Sequence, residues 1–371
     1  MQEKPIDISL FVITILLAVF GLIMIFSSSS VVASQPPFNN PYVFFKKQAI
    51  WLIISIVGLI VFSKVNYKII LKLAPIFFIF TIILLIIVVL TSFGISTKGA
   101  TRQIGIGFIN FSPSELAKLA SVFLLSGYCY INEAEMKTFF KGFVKPVLLS
   151  GILCGLVMLQ PDLGTTMVIL FTIFAILFIG QTRFIYLLGL FLISLAGIYL
   201  AVFKVGFRAA RFLAFLDPWE YIDSIGWQIV HSLYALGSGG LFGVGLGRSH
   251  QKYFWLPEQY TDFVFAIIGE ELGLIATVAI CIAFIYILLK GVQIALKVQD
   301  KFASYLALGL TSMITFQAFL NIAVVTSSIP VTGIPLPFLS YGGTSLFVNM
   351  IAMGIVLNIS RYATKGTRVP C

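Results

Sequence analysis

Acidic side chains gather in one short stretch of this chain. Residues 255–273, WLPEQYTDFVFAIIGEELG, hold four of its fourteen acids, Glu258, Asp262, Glu270 and Glu271, although only 10% of the chain is charged. The chain has two histidines and offers neither an HExxH motif nor a recognisable Ser/His/Asp set. Acid–base chemistry would therefore have to run on carboxylates.

The four acids differ in their expected depth. Asp262 stands where an apolar run begins, and Glu270 and Glu271 follow roughly 12–14 Å further along a helix. The deeper pair must face protein interior or a wet cavity, because a carboxylate facing lipid costs several kcal/mol. Glu258 and Asp262 have two open interpretations, namely chemistry at a membrane surface or complementation of the helix N-terminus that follows Pro257.

Charged residues also mark two other predicted helix starts. In SPSELAKLA, residues 112–120, Glu115 and Lys118 lie three apart and so share one helical face. They fit either a structural ion pair or a cavity lining in which Lys118 binds an anionic substrate. In the tight turn QPDLGTT, residues 160–166, Asp162 either caps the next helix or adds a second carboxylate near Asp262.

A long loop at 204–260 carries two further candidates. Arg208 and Arg211 are the best phosphate ligands in the chain, because planar guanidinium groups match phosphate oxygens. A short interfacial helix is predicted at 225–236, and six glycines follow at 237–247. These glycines do not fit the GxGxxG or P-loop pattern, which argues against an ATP-driven transporter.

The elements that must position these residues are membrane helices. The chain has 371 residues and is 59% hydrophobic, unlike a soluble domain. Its apolar runs have roughly the length that crosses a bilayer and predict an all-α polytopic membrane protein. The predicted spans, about ten, cover residues 8–27, 48–64, 73–92, 114–131, 145–160, 165–181, 184–203, 261–290, 302–327 and 341–360.

The distribution of Lys and Arg among the short loops predicts that both termini are cytoplasmic. The long loop between the seventh and eighth spans then lies outside, with Asp262 at its end. This bias explains the net charge of +10 without a nucleic-acid partner. Residues 1–364 form one predicted membrane domain. Residues 365–371 are a short cytoplasmic tail, for which native sequence and a cloning remnant are both open.

Prolines interrupt the connection between the last two spans. PVTGIPLPFLSYGGTSL, residues 330–346, contains Pro330, Pro335 and Pro337, which forbid a regular helix. Irregular backbone at membrane depth is tolerated only against protein or a water-filled cavity. The stretch is therefore either a re-entrant loop that lines the site or an ordinary outer connection.

Five of these motifs together resemble the SEDS family (shape, elongation, division and sporulation). They are LPEQYTDFVFAIIGEELG, QPDLGTT, FSPSELAKLA, GSGGLFGVGLG and PVTGIPLPFLSYGGTSL. The stretch GLGRSHQKYFWLPEQYTDF is more similar to the division branch, FtsW, than to the elongation branch, RodA. The resemblance implies that Asp262 is the essential acid and that Glu115, Lys118 and Asp162 belong to the site. It also reveals one departure, since the family often has His where this chain has Tyr260.

The resemblance further implies a peptidoglycan glycosyltransferase in the bacterial cytoplasmic membrane. Such an enzyme polymerises lipid II at the outer face, for septal or elongation cell-wall synthesis. Its implied partners are a class B penicillin-binding protein, which supplies the transpeptidase, and other divisome or elongasome membrane proteins. Two alternatives stay open: a lipid II flippase, which would use the deep charges, and a structural scaffold for divisome assembly.

The mechanism we expect joins both lines of reasoning. Asp262 removes the proton of the acceptor 4-hydroxyl as this attacks the donor anomeric carbon. Arg208, Arg211 and Lys118 stabilise the pyrophosphate that leaves. Glu258 either raises the pKa of Asp262 or helps to hold a divalent cation, Mg²⁺ or Mn²⁺. No other cofactor is expected.

Overall fold

The computed structural model describes residues 5–90, 94–97, 100–106, 109–203 and 206–363. Helices dominate these residues. They are α1 (Ile8–Ala33), α2 (Val43–Lys64), α3 (Lys68–Leu90), α4 (Pro113–Ile131), α5 (Lys145–Leu159), α6 (Leu163–Ile179), α7 (Phe184–Phe203), α8 (Gly206–Leu216), α9 (Trp227–Ser238), α10 (Val264–Lys297), α11 (Lys301–Val325) and α12 (Gly343–Ser360). A π-helical turn at Phe140–Val144 leads into α5.

The predicted spans coincide with α1 to α7 and α10 to α12. Within the described residues, seven helical segments are long and apolar enough to cross a membrane. They are α1, α2, α3, Phe140–Leu159, α10, α11 and α12, while α6 and the described part of α7 are shorter apolar helices. The chain is therefore a largely helical, multi-pass membrane protein. The expected division at residue 364/365 lies outside the described residues.

A small sheet departs from the all-α expectation. Strands β1 (Gly94–Thr97), β2 (Ala100–Ile106) and β3 (Ile109–Phe111) form an antiparallel sheet in the order β1-β2-β3 between α3 and α4. Its strands have seven residues at most. Such short alternations give a weak signal beside apolar runs three times as long, and the sequence analysis misses them.

The centre of the bundle is formed by α11 and α12. Of the seven spanning segments these two are the most buried. α12 packs against α2, and α11 packs against α4, α6 and α10. Gly354 permits the close approach of α12 to α2, because a Cβ atom there would lie 2.6 Å from the Leu59 carbonyl oxygen. The functional candidates attach to this rigid centre.

α10 bends sharply at Gly273, whose backbone has φ 76° and ψ −171°. Only glycine adopts this conformation without strain. The glycine-rich segment 239–247 packs into the bend, where Val244 N donates to Glu270 O (2.9 Å) and Leu274 N donates to Gly240 O (2.9 Å). The long loop is thus tied to the helix that follows Asp262.

Candidate active site

Asp262 lies just before α10 and is partly exposed. Its backbone is fixed by α11, because the side-chain amide of Asn321 donates to the carbonyl oxygens of both Asp262 (2.7 Å) and Ile334 (2.8 Å). A Cβ atom built on Gly333 would lie 3.7 Å from Asp262 Oδ2. The carboxylate therefore faces residues 326–342, called here the proline-rich segment.

Glu258 shares a tight turn with Asp262. Its carboxylate accepts a hydrogen bond from Thr261 Oγ1 (2.6 Å), and its carbonyl oxygen accepts one from Phe263 N (3.2 Å). The turn holds Glu258 at φ 56°, an uncommon conformation for a residue with a side chain. Both acids are thus presented by one constrained turn.

The proline-rich segment is irregular, and it is buried mainly over residues 334–340, where Ile334, Leu336 and Phe338 are almost inaccessible. It packs closely on α1, since a Cβ atom on Gly21 would lie 2.3 Å from the Phe338 carbonyl oxygen. Tyr341 N also donates to Tyr260 O (2.8 Å). The connection therefore packs against protein, as a re-entrant loop would require, and its depth in the membrane stays a prediction.

Glu115 and Lys118 form an ion pair of 2.8 Å inside the bundle, and the Lys118 side chain is 1% exposed. Lys118 Nζ also donates to Gln317 Oε1 (2.5 Å), and Gln317 Nε2 donates to Pro335 O (2.9 Å). The pair is thus a structural ion pair that is linked to the proline-rich segment. Contact between Lys118 and a substrate stays a prediction.

Asp162 has the geometry of a helix cap. Its carboxylate accepts hydrogen bonds from Thr165 N (3.1 Å) and Thr165 Oγ1 (2.9 Å), and the residue is buried. Gly164, two residues on, packs against the proline-rich segment, where a Cβ atom would lie 3.0 Å from Thr332 O. Asp162 therefore supports α6 where it meets this segment, and a role in substrate binding stays a prediction.

The long loop contributes a pocket of about 300 Å³ beside this site. Its lining residues are Arg211, Asp223, Ser224, Ile225, Trp227, Gln228, Ile229, Pro257 and Val331. Pro257 precedes Glu258, and Val331 belongs to the proline-rich segment. Arg211 therefore lines the same pocket as Pro257, the residue before Glu258. The side chain of Arg208, one turn earlier in α8, lies outside the described part of the chain.

Known proteins support the same assignment. The family model of the FtsW, RodA and SpoVE cell cycle proteins matches residues 7–365. The chain belongs to this family.

Two curated relatives are similar over almost their whole length. The probable peptidoglycan glycosyltransferase FtsW of Geobacter sp. (strain M18) is 37% identical, over 95% of this chain and 96% of the relative. Stage V sporulation protein E of Bacillus subtilis (strain 168) is 40% identical, over 96% and 97%. Among solved structures, a chain from a peptidoglycan synthase complex with coordinated polymerization and crosslinking is 25% identical, with a TM-score of 0.76 over 96% and 98%.

In this SEDS chain the deep acids bind the long loop. Glu270 accepts hydrogen bonds from the Ser249 hydroxyl and from His250 N (2.8 Å). Glu271 pairs with Lys252 Nζ (2.9 Å) and accepts from the Ser27 hydroxyl of α1 (2.6 Å). The expectation of polar interior partners is confirmed. Lys252, which the sequence places in an outer loop, is instead buried.

Two contributors to the site escaped sequence reasoning. Gln317 and Asn321 are uncharged amides within an apolar span, and only their i, i+4 spacing could have marked them.

Tyr260, where the family often has His, packs on Phe44 with a ring-centroid distance of 4.7 Å. Burial, together with the charge of Glu258 and the neighbouring Tyr341, raises the pKa of Tyr260 to about 12. Its hydroxyl therefore stays protonated near neutral pH and cannot serve as the base.

Proposed function

We propose that this SEDS protein is a peptidoglycan glycosyltransferase that polymerises lipid II into β-1,4 glycan strands. The observation that carries the proposal is Asp262, a partly exposed residue on a constrained turn whose backbone carbonyl accepts a hydrogen bond from the buried amide of Asn321. The names of the curated relatives agree with this activity.

The membrane orientation follows from charge. With both termini cytoplasmic and all ten predicted spans crossing the bilayer, the long loop, Asp262 and the proline-rich segment lie at the outer face of the bacterial cytoplasmic membrane. α4, which carries charge, and the short α6 are largely buried and would cross within the bundle. α7 packs on α6 and α8, and most of its apolar side chains are exposed, as expected of a helix that faces lipid. A substrate carried on a membrane lipid could then reach Asp262 from the outer leaflet.

In the reaction we propose, Asp262 accepts the proton of the acceptor sugar 4-hydroxyl while its oxygen attacks the donor anomeric carbon. The bond to the pyrophosphate breaks, and the configuration inverts from α to β. One base suffices because the pyrophosphate leaves as an anion. Arg211, and Arg208 with it, would stabilise that charge. Lys118 would reach a phosphate only after the proline-rich segment moves, because it is held by Glu115 and Gln317.

A divalent cation fits this site only if the substrate supplies some of its ligands. Among the described residues there is no cluster of three or more His, Cys, Asp or Glu side chains that could hold a metal ion by themselves. Mg²⁺ usually binds through one or two carboxylates and substrate phosphates. Asp262 and Glu258 would supply the protein ligands, and the cation would add positive charge at the pyrophosphate. Loss of glycan synthesis in EDTA, with recovery on added Mg²⁺ or Mn²⁺, would support a cation bound jointly by the protein and the substrate.

Partners follow from the same assignment. We propose that the enzyme works beside a class B penicillin-binding protein within the divisome, as the similar chain in a peptidoglycan synthase complex suggests. A septal role agrees with the relatives named FtsW.

The flippase alternative draws less support. A transport path would need accessible polar groups at mid-membrane. Glu271 instead pairs with Lys252, and Glu270 accepts hydrogen bonds from Ser249 and His250, so these charges hold the long loop in place inside the protein. A structural scaffold would need neither Asp262 nor the deep charges.

The decisive experiment is glycan-chain formation from purified lipid II in detergent, with and without the class B penicillin-binding protein. Wild type should form chains, whereas Asp262→Ala and Asp262→Asn should form none while remaining folded. Glu135→Gln is the matched control, because it neutralises an exposed carboxylate paired with Lys141 at the opposite end of the bundle. Near-normal synthesis by either Asp262 variant would refute the assignment of the base.

A further inference from the structure

Two buried amides lie one turn apart in α11. Gln317 and Asn321 are each 1% exposed, in the helix at the centre of the bundle. Residues four apart share one helical face, so both point towards the same neighbours. A buried amide is costly unless it is hydrogen-bonded. The partners of these two amides therefore indicate what the pair does.

Asn321 uses both of its amide hydrogens on backbone carbonyls. One bond goes to Asp262 O (2.7 Å) and the other to Ile334 O (2.8 Å). Its Oδ1 atom has no hydrogen-bond partner within the described residues. A leucine would pack at this position without an unmatched acceptor, so the amide is useful for its two donors. These donors join the turn of Asp262 to the proline-rich segment.

Gln317 adds a second bond to the same segment. Its amide donates to Pro335 O (2.9 Å), next to the carbonyl that Asn321 holds, and its own oxygen accepts from Lys118 Nζ (2.5 Å). The Glu115–Lys118 pair is therefore connected through Gln317 to the segment that faces Asp262. Pro335 has no N–H, and its carbonyl is the backbone group by which it can be held.

We propose that Asn321 and Gln317 are positioning residues of the polymerase reaction, acting through the backbone of Asp262 and of the proline-rich segment. This inference rests on the proposed function. Neither side chain needs to touch the substrate. They fix the distance between Asp262 and the proline-rich segment that faces it. A misplacement of reacting groups by about 1 Å can cost about 10²-fold in rate.

The chain offers a matched control in α12. Asn358 is also 1% exposed, donates to a backbone carbonyl of another helix, Ser63 O (2.9 Å), and has an Oδ1 atom without a hydrogen-bond partner in the described residues. It lies near the end of α12, whereas the proline-rich segment precedes the start of that helix. Asn358→Leu therefore reproduces the loss of a buried interhelical amide without disturbing Asp262.

The test measures glycan synthesis against lipid II concentration for wild type, Asn321→Leu, Asn321→Asp and Asn358→Leu. Both Asn321 variants should lower kcat about 100-fold with apparent KM within threefold of wild type. Asn321→Asp is nearly isosteric but, when ionised, donates to neither carbonyl, and it serves if the leucine variant does not fold. Asn358→Leu should keep kcat within threefold at a similar thermal midpoint. Equal losses in Asn321→Leu and Asn358→Leu would reduce Asn321 to an ordinary structural residue.

Gln317 is tested by separating its two bonds. Gln317→Glu still accepts from Lys118 but no longer donates to Pro335 O, whereas Gln317→Leu loses both. Equal losses of kcat in the two variants would support the role at Pro335. A normal Gln317→Glu beside an impaired Gln317→Leu would refute it. Wild type without activity would instead overturn the proposed function itself, while an active wild type with a normal Asn321→Leu overturns only this inference.

Discussion

Replacing Lys252 by methionine should destabilise this protein far more than replacing an exposed lysine. Lys252 Nζ lies 2.9 Å from Glu271 Oε1, and the two side chains are 3% and 0% exposed. In Lys252→Met, Glu271 would keep its bonds from the Ser27 hydroxyl and Ser249 N but lose its counter-charge. Leaving one partner of a buried pair uncompensated costs about 3–5 kcal/mol. At about 2 °C per kcal/mol for larger proteins, the thermal midpoint should fall by about 6–10 °C.

The assay is thermal unfolding in detergent, followed by intrinsic fluorescence at one heating rate. Lys141→Met is the control, because Lys141 pairs with Glu135 at the exposed surface (2.7 Å), where ion pairs contribute about 0–1 kcal/mol. Combining Lys252→Met with Glu271→Gln should recover much of the loss, since no buried charge is left unpaired. The reasoning is refuted if Lys252→Met unfolds at the same temperature as Lys141→Met.

Substitutions at three further positions test the site. Gly333 has φ 73°, so Gly333→Ala should impose about 1 kcal/mol of backbone strain opposite Asp262. The rate of glycan synthesis should fall clearly, whereas the thermal midpoint should change little. Asp162→Ala should remove the cap from Thr165 and cost about 1 kcal/mol of stability, whereas Asp162→Ser should retain both stability and glycan synthesis. A serine variant that is stable but inactive would instead favour Asp162 as a second carboxylate of the site. The pKa of Tyr260, raised to about 12, exceeds the unfolded value of 10.0, so the unfolded chain ionises first and stability falls between about pH 10 and 12. Tyr260→Phe should lessen that fall, measured by unfolding against pH, and should leave the pH–rate profile between pH 6 and 9 unchanged.

The sequence predicts the parts of this protein that depend on long, uniform signals. Apolar runs locate the helices that form the bundle, and the cost of a buried charge predicts interior partners for Glu270 and Glu271. The prolines likewise predict the non-helical course of the proline-rich segment. Each of these inferences follows from an energetic cost that any fold of this chain must avoid.

The sequence does not predict which groups meet. Lys252 lies in a polar, glycine-rich loop and gives no sign that it will be buried against Glu271. The sheet at 94–111 and α8 are too short to stand out against the spans. Gln317 and Asn321 are neutral, so no charge penalty marks them. Their importance depends on carbonyl groups that belong to residues 262, 334 and 335, which only the tertiary structure brings together.

The proposed reaction places two conflicting requirements on Asp262 as the base. Asp262 must be solvated enough to remain ionised, yet it must be held in one position in order to accept a proton from a fixed hydroxyl. The fold assigns these requirements to different atoms. The carboxylate remains partly exposed on its turn, while its backbone carbonyl is held by Asn321 from the centre of the bundle. The neighbouring Tyr260 stays protonated near neutral pH and so cannot replace Asp262 as the proposed base. The precision of that base would then depend on the backbone hydrogen bond from Asn321.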